Sequence, residues 1–215
     1  MTDYNKPRKG EFFAMTLDTR QPGPGHGVVF ENLKQLLTPP KRSLRPWEGG
    51  IPPLKEIPLL VYDPKEGDFP RDLEGSFSGY WLISERLKNV FEAVDPDAFA
   101  FAKADFKLQD GAPGPPHYLC DVVRVLDAVD EKNSALKIET GESFVLGKFY
   151  DLSGTVKLAF KKNVVGSSHV FRLPFSGHAV IFDRIIFDAI REAGILRADD
   201  SGGMWFRDAA DWEDA

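Results

Sequence analysis

Cysteine is nearly absent: Cys120 is the single one in 215 residues. One thiol cannot close an internal disulfide, and a chain of this size does not need one for stability, so a reducing compartment, a bacterial-type cytoplasm, is expected. No stretch reaches the about 18 consecutive apolar residues a spanning helix requires. The longest apolar candidate, 178–190, is interrupted by Asp183, Arg184 and Asp188. Lys6, Arg8, Lys9, Glu11 and Arg20 surround the short apolar patch Phe12 to Met15, which leaves no room for a secretory h-region. An excess of positive charge is also missing. Lys+Arg 27 against Asp+Glu 33 gives a net charge of −6 and a pI near 5.3, the wrong sign for a nucleic-acid binder. Neither nucleic acid nor membrane is expected as a partner.

Complete catalytic motifs are lacking as well. Gly23, Gly25 and Gly27 suggest a dinucleotide loop, but Val28 stands where the third glycine belongs. Gly141 and Gly147-Lys148 are one residue too far apart for a P-loop, and Phe149 replaces the magnesium-binding hydroxyl. In Gly75-Ser76-Phe77-Ser78-Gly79 the nucleophile position of an elbow is a phenylalanine, so a turn is the better reading. His26, His117, His169 and His178 show no HExxH spacing, and there is no second cysteine to complete a zinc set. Cys120 follows His117 in a Val-rich, strand-like stretch, where odd spacing sends the two to opposite faces and makes Cys120 a core residue. Asp95 and Asp97 flank Pro96 at a helix stop, and are read as solvated. No catalytic residue, cofactor or metal ligand is assigned.

What is present is core material: 42% hydrophobic and 12% aromatic residues, too much for a disordered chain. Eight prolines between Pro39 and Pro70 remove backbone donors and disfavour helix before them. Residues 38–75 are therefore expected to run extended, with Leu54, Ile57, Leu59, Leu60 and Tyr62 against the core. The domain reading is a Pro/Gly-rich segment over 1–75 packed on an α+β domain over 76–215.

One local pattern occurs twice. Tyr80 to Ile83 reads as a buried strand, Ser84 as a helix cap, and Leu87, Val90, Phe91 and Val94 recur at i, i+3, i+4 and i+7 before Asp95-Pro96 ends the helix. Ala179 to Phe182, Asp183 and then Ile186, Ala189, Ile190 and Ala193 repeat it, with Gly194 as the stop. Phe-bearing segments follow both, which predicts two strand-helix-strand units. Strands are also expected at 118–126, 144–149, 155–160 and 169–175. Because no helix pattern separates these, the fold class is α+β with a mixed, largely antiparallel sheet.

Six acids crowd the last seventeen residues: Asp199, Asp200, Asp208, Asp211, Glu213 and Asp214. One reading is a solubilising tail. The other joins them to Trp205 and Trp212 as an aromatic anchor with an acidic rim, a surface that steers a basic protein partner.

Residues 79–88, GYWLISERLK, then the stretch from Val122 that ends in VLDAVDEKNS, then HVFRLPFSGHAVIFDRIIFDAIREAGILRADDSGGMWF together resemble the eleventh class of immunity proteins of bacterial polymorphic toxin systems over about residues 76–206. The resemblance implies a cytoplasmic, non-enzymatic protein that binds and neutralises a cognate toxin, typically encoded beside it. It supplies no site residues. The competing class is an enzyme or small-ligand protein whose site is assembled from His117, His169 and His178.

Overall fold

Short apolar runs punctuated by capped helices build every layer of this chain. The computed structural model describes residues 6–20, 24–37, 41–177 and 179–212. His178, Glu213, Asp214 and Gly23 lie outside them. In chain order the elements are β1 (Phe12–Leu17), β2 (Val28–Phe30), α1 (Leu33–Leu36), β3 (Leu59–Tyr62), β4 (Leu73–Phe77) and β5 (Tyr80–Ser84). Then come α2 (Glu85–Val94), β6 (Phe99–Lys103), β7 (Asp105–Lys107), β8 (His117–Val122), β9 (Lys137–Thr140) and β10 (Lys148–Asp151). The last five are α3 (Lys162–Val165), β11 (Val170–Arg172), β12 (Val180–Asp183), α4 (Arg184–Glu192) and β13 (Met204–Asp208). The fold is α+β, and its strands divide among four sheets.

Two compact units share the chain. The first holds the described residues within Met1–Thr16, Arg124–Asp188 and Trp205–Ala215, the second those within Leu17–Val123 and Ala189–Met204. In the second unit a four-stranded sheet runs β4-β5-β8-β6 and a three-stranded one β2-β3-β7. β8 is antiparallel to both β5 and β6, so β5 and β6 are parallel with β8 inserted between them. Ser84 caps α2 by accepting from the Leu87 amide, and Leu87 and Phe91 are the residues α2 buries. Phe91 stacks on Phe99 at 4.3 Å. β4 and β5 meet in a two-residue turn whose Ser78 and Gly79 both have positive φ, the geometry a right-twisted hairpin needs. The Gly75–Gly79 stretch is thus a bulge and a turn.

Within the Pro-rich segment some of the expected residues are buried, whereas Ile57 is exposed rather than set against a core. Leu44 and Leu60 are buried in the cluster that contains Phe77, Tyr80, Leu82 and Leu119, and Ile51 and Leu54 pack against it. Burying such side chains contributes about 1.5–3 kcal/mol each.

In the first unit the sheet order is β11-β12-β1-β13. β1 is antiparallel to β12. The Asp18 amide donates to the Gly203 carbonyl and the Ala209 amide to that of Phe12, both at 2.9 Å, so β13 is antiparallel to β1 too. β12-α4-β13 therefore repeats the split arrangement, with the N-terminal strand inserted. Asp183 caps α4, its Oδ1 accepting from Ile185 and Ile186. A separate hairpin pairs β9 with β10.

Four strand expectations need adjusting, the first because β8 ends at Val122 and residues 123–126 leave the ladder. Residues 144–147 belong to the β9-β10 turn, because the Phe144 carbonyl accepts from Gly147 and closes it. Residues 155–160 make isolated bridges, Val156 with Trp212 and Lys157 with Ala135, since no partner runs alongside for long enough to form a ladder. The 169–175 stretch shortens to β11 and is buried on both faces, Val170 as fully as Phe171.

Candidate partner-binding surface

β13 alternates. Phe206 points into an aromatic cluster with Phe13, Phe182 and Phe187, its ring 5.1 Å from that of Phe187. The residues on either side of it, Trp205 and Arg207, share the other face. The Arg207 guanidinium lies 5.0 Å from the Trp205 ring and 4.1 Å from that of Trp212, between two indoles. Trp205 is half-buried, whereas Trp212 is 4% exposed and belongs to the core with Val156 and Tyr150. At that burial Trp212 reads as a core residue rather than an exposed anchor.

The acids of this region have structural work. Asp208 accepts from the Gly10 amide at 2.7 Å and from that of Ala210 at 2.9 Å. Asp211 pairs with Lys9, whose hydrogen bond holds its carboxyl below the usual range. In the second unit Asp200 receives Arg197 at 2.8 Å and the Gly202 amide at 2.9 Å. Asp199 sits 3.7 Å from the same guanidinium and is 87% exposed. The structure thus brings Trp205, Asp208, Asp211 and Trp212 into one unit and places Asp199 and Asp200 in the other; Glu213 and Asp214 lie outside the described residues. Lys9 and Gly10, which Asp211 and Asp208 bind, are about two hundred residues away in sequence, and no local signal names them.

Sequence reasoning missed a set of charged pairs in the second unit. Arg20 meets Asp18 side-on, Nε and Nη2 each donating at 2.9 Å. Arg71 meets Glu74 in the same way at 2.8 and 2.9 Å, and its Nη1 reaches the Asp18 carbonyl. Arg86 forks onto Asp72, which also accepts from Ser84. In all three pairs the carboxylate is nearly buried and the guanidinium is the more exposed partner. Such side-on pairs are the strong form of charge-assisted bond. Arg20 holds the Asp18 carboxyl well below the ordinary carboxylate range, against the opposing effect of burial. The pairs border two open clefts. One, of about 640 Å³, is lined by Asp18, His26, Asp68, Arg71 and Glu74. The other, of about 440 Å³, is lined by Asp72, Ser84, Arg86, His117 and Asp200. Spacings of two or three residues, Asp18/Arg20 and Arg71/Glu74, are the only trace the sequence carries of them.

His26, His117 and His169 serve separate local purposes. His26 Nδ1 accepts from the Val28 amide, which places its proton on Nε2, donated to the Gly75 carbonyl at 3.2 Å. His117 Nδ1 donates to the Pro115 carbonyl at 2.8 Å, its ring lies edge-on to Phe106, and burial pushes it below its ordinary pKa. His169 holds Asp183 at 2.7 Å in the first unit. Among the described residues no three His, Cys, Asp or Glu side chains gather in a way that could hold a metal, and no helix is long and apolar enough to cross a membrane.

No curated protein matches the chain. The profile of the Immunity protein family (Imm11) fits residues 11–211, a span that includes both units, the charged pairs bordering the clefts and the acidic residues up to Asp211. Only the first ten and last four residues fall outside that match, and the chain belongs to the Immunity protein family (Imm11).

Proposed function

We propose that this chain binds a cognate bacterial toxin and neutralises it by stoichiometric occlusion, without catalysis of its own. The observation that carries this reading is the family match across residues 11–211. The side-chain chemistry supports it. Asp18, Asp72 and Glu74 are each bound by an arginine, His26 uses both ring nitrogens on the backbone, and a protein that acts by contact has no need of groups held ready for proton transfer. The rival reading, an enzyme built on His117, His169 and His178, has less behind it, since His117 and His169 are each engaged by a local partner, the Pro115 carbonyl and Asp183. The toxin is expected from an adjacent gene and the encounter in the cytoplasm; neither nucleic acid, membrane nor cofactor takes part.

Within this reading Trp205 is the aromatic element beside an acidic rim of Asp208 and Asp211 in the first unit, and Asp199 and Asp200 form a separate acidic pair in the second. Trp212 supports the rim from beneath through Arg207. Co-expression with the product of the adjacent gene tests the reading: rescue of growth and a co-purifying one-to-one complex are expected, and failure with every neighbouring product rejects it. Replacing Asp199, Asp200 and Asp211 by Asn should slow association most at low salt, because rim charges act on the encounter. An unchanged rate removes the rim from the interface.

A further inference from the structure

A turn in the Pro-rich segment is held with unusual thoroughness. Gly49 donates to the Pro46 carbonyl at 3.1 Å, closing Pro46-Trp47-Glu48-Gly49. The two residues flanking the turn are fixed by one carboxylate: Arg45 Nε donates to Asp121 Oδ1 at 2.9 Å and the Gly50 amide to Asp121 Oδ2 at 2.6 Å. The Asp121 side chain is 0% exposed. Tyr80 Oη donates to the Gly50 carbonyl at 2.9 Å. Ahead of the turn, Ser78 accepts from the Leu44 amide through its hydroxyl, and from Ser43 Oγ and the Arg45 amide through its carbonyl. Ser78 does this at φ +56, a region an L side chain seldom adopts, and a Cβ on the next residue, Gly79, would fall 2.8 Å from Arg45 Cβ.

A buried ion pair stabilises a fold poorly compared with apolar packing, so Asp121 and Arg45 point to a requirement on position. What they position is Trp47. It is 69% exposed, the most exposed aromatic side chain among the described residues. Exposed indole on a rigid turn loses little freedom on binding, and tryptophan is enriched among the residues that dominate interfaces. The sequence leading into the turn is basic in an acidic molecule. Lys41 and Arg42 just before the turn are exposed, Glu48 beside Trp47 is the one opposing charge in the turn, and Asp121 neutralises Arg45.

We infer that Trp47 is a preformed anchor that enters an apolar pocket on the toxin, a pocket rimmed by carboxylates that face Lys41 and Arg42. This rests on the proposed immunity function and adds to it an element opposite in charge to the acidic rim.

The test uses the full chain and the adjacent gene's product, with affinity by calorimetry and growth rescue in parallel. Trp47→Ala should weaken binding at least thirtyfold with an unchanged urea midpoint, Trp47→Phe should retain part of the affinity, and Lys41→Glu with Arg42→Glu should slow association at low salt. If the unaltered chain rescues growth and Trp47→Ala binds as tightly as it does, the anchor is overturned and the immunity reading stands. If the unaltered chain neither rescues nor binds, the immunity reading falls and takes the anchor with it. A concentration-dependent dimer in sedimentation that Trp47→Ala abolishes, with toxin affinity intact, assigns the turn to a second copy and also overturns the inference.

Discussion

Gly27 and Gly67 lie back to back. A Cβ built on Gly27 would fall 2.6 Å from the Gly67 carbonyl oxygen and 2.4 Å from that of Asp63, and one on Gly67 would fall 2.4 Å from the Gly25 carbonyl oxygen. Gly27, one of the glycines that suggest a phosphate loop in the sequence, is there because two stretches of main chain touch, and Gly25 because its φ is +79. Gly27 donates to the Asp68 carbonyl and accepts from the Asp63 amide, both at 2.8 Å. Gly27→Ala must push these strands apart, and an overpacked site of this kind costs about 1–3 kcal/mol. A clear drop in the urea midpoint is expected; an unchanged midpoint would mean that the two chains separate freely.

Asp121 gives a sharper test, because its loss strands a buried cation. Asp121→Ala leaves Arg45, itself 10% exposed, without its carboxylate, and removing one partner of a buried pair costs about 3–5 kcal/mol. Replacing both, Asp121→Leu with Arg45→Met, removes the two desolvation penalties together and should recover a large part of that loss. Equilibrium unfolding of the single and double variants separates the cases: a double variant as unstable as the single shows that the hydrogen bond to Gly50, not the charge, fixes the turn.

Acid should weaken the fold in two windows of the same sign. Burial lowers the His117 pKa from its ordinary 6.5, so below that value the unfolded chain binds a proton that the folded chain refuses, and stability falls as the pH drops. The slope from one such group is at most about 1.4 kcal/mol per pH unit. Asp18 acts lower down. Its folded pKa is depressed from 3.8 by Arg20, so its contribution is complete above 3.8 and is lost on further acidification. The stability gap between the parent and His117→Phe should therefore shrink from pH 7.5 to 5.5, and the gap to Asp18→Asn should shrink only below about pH 4. A gap to His117→Phe that stays constant across pH 5.5–7.5 would show that the ring titrates alike in both states.

The features legible in the sequence are those written in neighbouring residues. Ser84 and Leu87, or Asp183 and Ile186, carry cap and helix face within a few positions, so both strand-helix-strand units can be read directly. β1 cannot be read that way. Phe12 to Met15 has no alternation because the strand lies inside its sheet, and its partner β12 is about 170 residues on. The acidic cluster is visible as composition, but composition does not say that the Gly10 amide occupies Asp208 or that Trp212 faces the core. Trp47 stands among prolines, and nothing near it in sequence announces that Asp121 on β8 fixes the turn beneath it.

Asp183 joins helix capping to the one histidine–carboxylate pair among the described residues, and the two contributions can be separated. Its Oδ1 accepts from the Ile185 and Ile186 amides at 3.0 and 3.2 Å, while Oδ2 meets His169 Nδ1 at 2.7 Å. Losing a cap costs about 0.5–2 kcal/mol, so Asp183→Ala should destabilise by that much and by a further increment for the imidazole. Asp183→Asn keeps an amide oxygen for the cap and should restore most of the first part. The double-mutant cycle with His169→Ala isolates the second. If His169→Ala costs as much in the Asp183→Ala background as in the parent, the two side chains are uncoupled and Asp183 serves the helix alone.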